Sequence, residues 1–519
     1  MRIGGAGLID RTRPVNFSFD GYSYQGYEGD TLASALLAND VRLVGRSFKY
    51  HRPRGILTAG SEEPNALVTL GLEGTQEPNA RATTAELHEG LKARSQNRWP
   101  SLDWDLLALN DLAAPFLGAG FYYKTLMWPK AFWEKVYEPA IRRAAGLGAL
   151  SGRANSDRYE KAWAHCDLLV IGAGPAGLMA ALVAARAGAE VILADEGTRT
   201  GGRLTAETLE VGGLPGHIWA QDITDELAEM DNVRIMTRTT VTGAYDQGTY
   251  GALERLAPGV ADRAGAPKEC FWRIVAQRAV LAAGALERPV AFRNNDRPGV
   301  MMAGALRAYL NRWCVAPGRN VAVFGNTDSA HRTALDLLEA GVHVCALIDS
   351  RSHASCDLDV PFFAGAEVCD TQGRKGLEAI TLRLGNGVED RIQADCLAMS
   401  GGWNPSVHLS CHMGGRPVWD PDLLAFVPAP GAVPGLEAAG AAAGRFSTRA
   451  CLEHGAEAAR AALDDLGLKR AEVTLPGAED GIYDIAPLWE VPGKGRAWLD
   501  VQNDVTAKVV RLAAQENFT

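Results

Sequence analysis

The chain has 519 residues, 47% of them hydrophobic and 22% charged, with a formal net charge of -10. That is globular material for about three domains, and the acidic balance argues against nucleic acid as a partner. The opening "MRIGGAGLIDRTRP" lacks the apolar core of a signal peptide, and no stretch reaches the ~18–20 apolar residues of a membrane helix, so a soluble cytoplasmic protein with no membrane partner is expected. Nine cysteines are scattered from Cys166 to Cys451 with no CxxC pair, which suits reduced thiols; residues 1–165 contain none.

Residues 14–95 read as a small β-rich domain. "VNFSFDGYSYQGYEGDTLASALLAND" alternates apolar and polar residues, turns at Asp20-Gly21 and enters a helix that Asp30 or Thr31 would cap. In "VRLVGRSFKYHRPRG", Arg42, Arg46, Lys49, Arg52 and Arg54 read as a solvated face or as a contact for an anion or a subunit. Residues 97–140 carry Trp99, Trp104, Phe116, Phe121, Tyr122, Tyr123, Trp128, Phe132, Trp133 and Tyr137, a belt suited to interdomain packing or to a subunit interface.

"DLLVIGAGPAGLMAALVAARAGAEVILADEG" (167–197) carries a dinucleotide fingerprint. Gly172 permits the tight turn, Gly174 lets a pyrophosphate approach the backbone, and Gly177 lets helix and strand pack closely. Ala173, Pro175 and Ala176 lie between them as further cofactor-binding candidates, and the pyrophosphate is expected at the N-terminus of the helix, where free N–H groups and the dipole favour an anion. Asp195-Glu196 stand where a ribose carboxylate is wanted, with Gly197 beside them as a further candidate, and Gly201-Gly202 of "GTRTGGRL" offer a second backbone approach. An acid there repels a 2′-phosphate, so NADP is disfavoured. FAD and NAD fit these residues equally. "RAVLAAGALERP" (278–289) ends a strand in a small-residue turn at Ala283-Gly284.

A second strand–turn–helix unit begins at "NVAVFGNTDSAHRTALDLLEAGVHVCALIDS" (320–350). Only Gly325 of the three glycines remains. Asp328 in the first helical turn is expected to satisfy the free N–H groups itself and repel phosphate, and Thr327 to block backbone approach. This unit reads as a Rossmann-like domain without a nucleotide, although Asp349 ends its second strand.

Long segments, among them "GRSFKYHRPRGI", "GSEEPNALV", "SQNRWPSL", "GFYYKTLMWP", "WEKVYEPAIRRAAGLG", "NNDRPGVMMAGALRAYLNR", "MSGGWNPSVHL" and "LDVQNDVTAKVVRLA", make the chain resemble the α subunits of heterotetrameric sarcosine oxidases. The large subunit of N-methylglutamate dehydrogenase is the nearest relative to confuse with them. The resemblance implies an α/β fold of the two-dinucleotide-binding-domain flavoprotein type, with an N-terminal β-grasp, ferredoxin-like domain that lacks its cluster. It implies NAD on this chain, FMN at the interface with a β subunit, FAD and the amine oxidation on that β subunit, and small γ and δ subunits. By that likeness Ala176, Asp195, Glu196 and Arg203 line the NAD site, and Val241, Ala441, Phe446 and Thr448 close over it. "GAAAG" permits close approach there, and Ser447 or Thr448 would cap the helix "RACLEHGAEAARAAL", leaving its N–H end facing the ligand.

The expected domains are a β-grasp domain (1–96), an aromatic-rich helical connector (97–163), an NAD-binding Rossmann domain (164–290 and 391–470), a nested Rossmann-like domain (291–390) and a linker (471–519) opening a further half. Related amine and opine dehydrogenases hold a 2Fe–2S cluster on four thiolates in the loop that here reads "RGILTAGSEEPNAL", which has no cysteine. Sarcosine oxidase α subunits continue into a folate-binding half. This sequence stops at "AAQENFT", so no folate site is expected on it. No residue presents itself as acid, base, nucleophile or metal ligand. Two other readings are a self-sufficient disulfide-reductase-like FAD enzyme, against which the missing CxxC counts, and a non-catalytic scaffold with a structural NAD.

Overall fold

A computed structural model describes the chain except residues 6, 115–125, 127, 147, 259–264 and 519. It divides into two compact units: Met1–Ser156 with Pro289–Gly401 and Ala486–Thr519, and Asp157–Arg288 with Gly402–Ile485.

The first unit begins with the alternation read in the sequence. The hairpin Asp10–Phe19/Tyr22–Glu28 buries Val15, Phe17 and Phe19 on one face, and Asp10–Phe19 pairs in parallel with Leu91–Ser95 to centre a five-stranded mixed sheet. The helix Leu32–Ala38 starts at Thr31, whose hydroxyl accepts the Ser34 N–H while the Ser34 hydroxyl accepts the Thr31 N–H. Asp30 instead takes the Ser34 hydroxyl and the Arg2 guanidinium. This is the β-grasp arrangement.

The basic run is not a solvated face. The Arg52 guanidinium grips Asp296 at 2.6 and 2.9 Å. Arg54, 1% exposed, pairs with Asp296 and donates to Asp504 at 2.6 Å. Arg42 donates to the Asp395 carbonyl and Arg46 to that of Leu102. Burial alone would push the Asp296 carboxyl up, but Arg54 and Arg52 outweigh it and hold it well below the usual carboxylate range. These ion pairs tie the N-terminal residues to both other segments of the same unit. Residues 486–519 are therefore no linker: Trp498 is buried, and its indole lies 5.4 Å from both Arg52 and Arg54. Of the aromatic belt, Trp104 (73%) and Trp128 (83%) stand exposed, against a packing role, while Phe116, Phe121, Tyr122 and Tyr123 lie outside the described residues.

The rest of this unit is a parallel five-stranded sheet in the order Val300–Met302, Cys396–Ser400, Asn320–Gly325, His343–Asp349, Phe362–Ala364, followed on the chain by a three-stranded antiparallel sheet over Glu367–Gln393. The expected boundary at 390 is corrected. Cys396–Ser400 pairs with Val300–Met302 and Asn320–Gly325, so residues 391–401 belong to the nested domain.

In the second unit the central strand Tyr159–Ile171 pairs in parallel with Val191–Ala194 on one side and along its whole length with Glu269–Leu281 on the other. The connector thus ends before 159, and residues 471–485 join this unit, with Gly212 N–H donating to the Gly477 carbonyl. The other edge of Glu269–Leu281 pairs first with Thr249–Arg255 and then with Leu436–Ala438. The helices Pro175–Arg186 and Thr448–Leu466 cover the sheet, packed so closely that a Cβ at Gly455 would fall 2.1 Å from the Ala176 carbonyl oxygen. No helix among the described residues is long and apolar enough to cross a membrane.

Candidate functional site: the first glycine loop

The central strand runs apolar to Ile171 and turns at Gly172, whose φ is +101°. A Cβ there would lie 2.4 Å from the Ala282 carbonyl oxygen, and one at Gly177 would lie 1.8 Å from that of Gly172. These two glycines are demanded by the protein's own packing. Gly174 differs: a Cβ there meets nothing within 4 Å, so its freedom serves whatever approaches the loop. The loop helix begins at Pro175, which has no N–H, and Gly174 supplies no side-chain cap. The N–H groups of Ala176 and Gly177 therefore have no helical acceptor and suit an anion. Gly202 descends on the same spot, where a Cβ would come within 2.9 Å of Gly174 Cα. Gly201 N–H donates to the Ala173 carbonyl at 2.8 Å, which fixes that approach.

Asp195 does more than offer a carboxylate. It accepts the Ala173 N–H at 2.6 Å and the Gly197 N–H at 2.7 Å, so the acid that ends the second strand also braces the glycine loop. Glu196 beside it is exposed. Val241 lies further on, in the strand Thr239–Tyr245, whose first N–H donates to the Asp195 carbonyl. On the other side of the loop, Ala283 is exposed, and a Cβ at Gly284 meets open space. Ala441 lies in the turn Gly440–Ala443, which touches the loop helix: a Cβ at Gly440 would meet Ala176 Cβ at 2.6 Å.

One expectation fails here. The helix Thr448–Leu466 does not present an open N–H end. Ser447 caps it by accepting the Ala450 N–H at 3.1 Å, and the Arg449 N–H donates to the Glu479 carbonyl. Thr448 is buried at its first turn and is not the cap.

Sequence reasoning also missed three neighbours. Arg203 stacks on Trp403, its guanidinium 3.9 Å from the ring, and pairs with Glu207. Phe446 packs on Tyr483 with ring centroids 4.6 Å apart, and the Tyr483 hydroxyl accepts the Trp403 N–H at 3.2 Å. Arg288 donates to the Leu424 carbonyl at 2.8 Å beside Asn404. Trp403, Tyr483 and Arg288 come from segments far apart in sequence; the only local signal was the "GGWNP" turn. A recess of about 440 Å³ midway along the strands Tyr159–Ile171 and Glu269–Leu281 is lined by His165, Cys166, Asp167, Glu190 and Gln277, and by no residue of the glycine loop.

The second strand–turn–helix unit is closed. Asp349 is fully buried and accepts from Arg351 at 2.8 Å and pairs with His331 at 2.8 Å. Burial would raise its carboxyl, but His331 and Arg351 hold it below the usual range. Asp328 caps nothing, contrary to expectation; its carboxylate, largely exposed, accepts from Arg351 at 2.6 Å. Thr327, 1% exposed, fills the position of the middle glycine.

In the β-grasp domain the loop "RGILTAGSEEPNAL" is organised by one buried carboxylate. Glu63 accepts backbone N–H groups from Leu57, Thr58, Asn65 and Ala66 between 2.6 and 3.0 Å. Burial pushes its carboxyl up against the pull of those bonds. With no cysteine before Cys166, and with both nitrogens of His51 engaged by Asp105 and the Ala144 carbonyl, these residues do not fit a 2Fe–2S cluster.

Comparison with known proteins places these features. A family profile described as a 2Fe-2S iron-sulfur cluster binding domain matches residues 12–98, and one described as FAD dependent oxidoreductase matches 167–228. The P. horikoshii L-proline dehydrogenase structure matches 98% of this chain and 87% of its own, with 20% identity and a TM-score of 0.65, a likeness that shows the α/β flavoprotein fold. The sarcosine oxidase α subunit of Rhizobium meliloti (strain 1021) is 55% identical over 100% of this chain and 53% of its own length; that of Corynebacterium sp. (strain P-1) is 35% identical over 98% and 50%. By sequence, then, the whole chain belongs to the sarcosine oxidase α-subunit family, about half of whose length it spans.

Proposed function

We propose that the chain is the NAD-bearing α component of a heteromeric secondary-amine oxidoreductase acting on sarcosine. The observation that carries the dinucleotide is Gly174: an open approach at the end of the central strand, with unclaimed helix N–H groups behind it and Asp195 at the next strand end. The substrate is inferred from the 55% identity over the whole chain. The chain itself binds and orients. Ala176 and Gly177 N–H groups take the pyrophosphate, Asp195 and Glu196 face the adenosine ribose and reject a 2′-phosphate, and Gly202 closes on the loop. A bound NAD supplies hydride acceptance. Amine oxidation lies on FAD of a partner β subunit, with FMN at the interface with this chain and small γ and δ subunits completing the assembly. All nine cysteines are free thiols, which suits the reducing cytoplasm.

A second reading puts FAD in the same loop, favoured by the FAD dependent oxidoreductase profile over residues 167–228. Denaturing the purified chain and identifying the released nucleotide by mass and absorbance separates the two. NAD is expected; FAD without NAD overturns the assignment.

A further inference from the structure

A dinucleotide laid across this sheet has two halves that diverge from the glycine loop. The adenosine half goes toward Val191–Ala194, where Asp195 stands. The other half goes to the opposite side of the central strand, toward Glu269–Leu281 and the turn at its C-terminal end. Two of the segments on that second side lead to one cluster. Ala285–Glu287 continues from Glu269–Leu281 and pairs with Trp403–Pro405, setting Glu287 opposite Trp403. Leu436–Ala438, paired with Glu269–Leu281, leads through Gly440–Ala443 to Phe446. Tyr483 bridges the two, its ring on Phe446 and its hydroxyl on the Trp403 N–H. Gly202, pressed on Gly174, hands over directly to Arg203, which lies flat on Trp403.

We infer that Trp403, Phe446 and Tyr483, with Arg203 and Arg288 fixing them, form the seat for the second, redox-active ring of the bound dinucleotide. Trp403, Phe446 and Tyr483 are each partly exposed, Trp403 with the Arg203 guanidinium over its ring, and such aromatic surface suits a planar heteroaromatic ring, which stacks on it. The seat is set by the fold: Gly402, with φ +101°, leaves no room for a side chain, since a Cβ would lie 2.6 Å from Ile485 and 2.8 Å from the Arg288 guanidinium. Burial pushes the Tyr483 phenol up to about 12, so it keeps its proton and can donate to a ring substituent while accepting from Trp403. These are positioning residues. Neither glycine loop nor strand-end acid requires them, and adenosine diphosphate would not reach them.

This inference rests on the dinucleotide reading, and ADP tests that reading separately. The nucleotide-stripped full chain is titrated with ADP, NADH and FAD by calorimetry and by tryptophan fluorescence, alongside Trp403→Leu, Tyr483→Ala and Tyr483→Phe. NADH is expected to bind the wild type more tightly than ADP. Trp403→Leu and Tyr483→Ala should each weaken NADH about tenfold while ADP stays within about twofold, which also shows that the variants fold. Tyr483→Phe keeps the ring but loses the hydroxyl that accepts the Trp403 N–H, and should fall between the wild type and Tyr483→Ala. The same pattern with FAD in place of NADH supports the seat and transfers it to a flavin. ADP binding with unchanged dinucleotide affinity in both variants overturns the seat. No ADP binding to the wild type removes the dinucleotide reading and the seat with it.

Discussion

Two turns of this chain share one plan: an apolar strand, a glycine, a helix, a second strand, an acid. In the first, Gly172, Gly174 and Gly177 let the helix close on the strand while Gly174 faces open space. In the second, Gly325 survives, Thr327 is buried where the middle glycine would be, and Ala330 fills the third position, so near that a Cβ on Gly325 would lie 2.7 Å from Ala330 Cβ. The acids differ more. Asp195 takes backbone N–H groups from the loop it braces, and Asp349 is consumed by Arg351 and His331. The second turn thus departs from a dinucleotide loop in two ways, by capturing its strand-end carboxylate and by filling its glycine positions.

The largest expected effect comes from breaking that capture. Asp349→Asn leaves the Arg351 guanidinium, 3% exposed, without its buried carboxylate. Removing one partner of a buried pair costs roughly 3–5 kcal/mol, here offset in part by Asp328. Urea unfolding at pH 7 should show a loss on the order of 3 kcal/mol. The wild-type advantage should also depend on pH. The Asp349 carboxyl is held below its ordinary value, so its contribution is present above about pH 4 and lost as pH falls further. The two proteins should converge in acid. Equal stability at pH 7 would mean that Asp349 is not the clasp of the second turn.

How much of this is legible in the sequence depends on distance along the chain. The first glycine loop, its strand-end acid and the two strand–turn–helix units are local patterns, and the sequence shows them directly. The basic run misleads because Arg54 finds Asp296 and Asp504 at separations of 242 and 450 residues; locally, five cations in thirteen residues look solvated. Cys396–Ser400 is an apolar run that suits either sheet, and only its pairing with Asn320–Gly325 assigns it. Trp403 and Tyr483 escape for the same reason. Glu63 could be suspected, since an acid amid the apolar "GILTAG…NAL" needs donors, but which N–H groups supply them is a matter of loop geometry.

The next effect sharpens the first turn. Gly174→Leu sets its Cβ where the protein has nothing within 4 Å, so folding should be preserved. The added atoms take the pyrophosphate position. Dinucleotide affinity should fall at least 100-fold, about 2.7 kcal/mol, with thermal unfolding unmoved. Gly177→Leu is the contrast: its Cβ would meet the Gly172 carbonyl oxygen at 1.8 Å, so stability falls along with binding. Retained affinity in Gly174→Leu would deny the loop its role.

A smaller change separates the two duties of Asp195. In Asp195→Asn the side-chain oxygen can still accept one of the N–H groups of Ala173 and Gly197, but the amide nitrogen cannot accept the other, and the charge toward the ribose is gone. We expect about tenfold weaker NADH binding, roughly 1.4 kcal/mol. NADPH should lose less, because a 2′-phosphate no longer meets that charge. An equal loss for both cofactors would restrict Asp195 to bracing the loop.

The smallest effect tests whether glycine content alone decides occupancy. Thr327→Gly removes the buried side chain at the middle position of the second turn and its weak contact with the Ser329 N–H at 3.3 Å. It should cost only about 1 kcal/mol of stability, from lost packing and the greater freedom of an unfolded glycine. It should not create a nucleotide site. Asp349 stays buried against Arg351 and His331, so no carboxylate is available to a ribose, and the Asp328 charge remains beside the turn. Titrating NADH into Thr327→Gly carrying Gly174→Leu, so that the first loop is silent, isolates the second. Saturable binding in that double variant would show that a side chain, and not the captured acid, keeps the second turn empty.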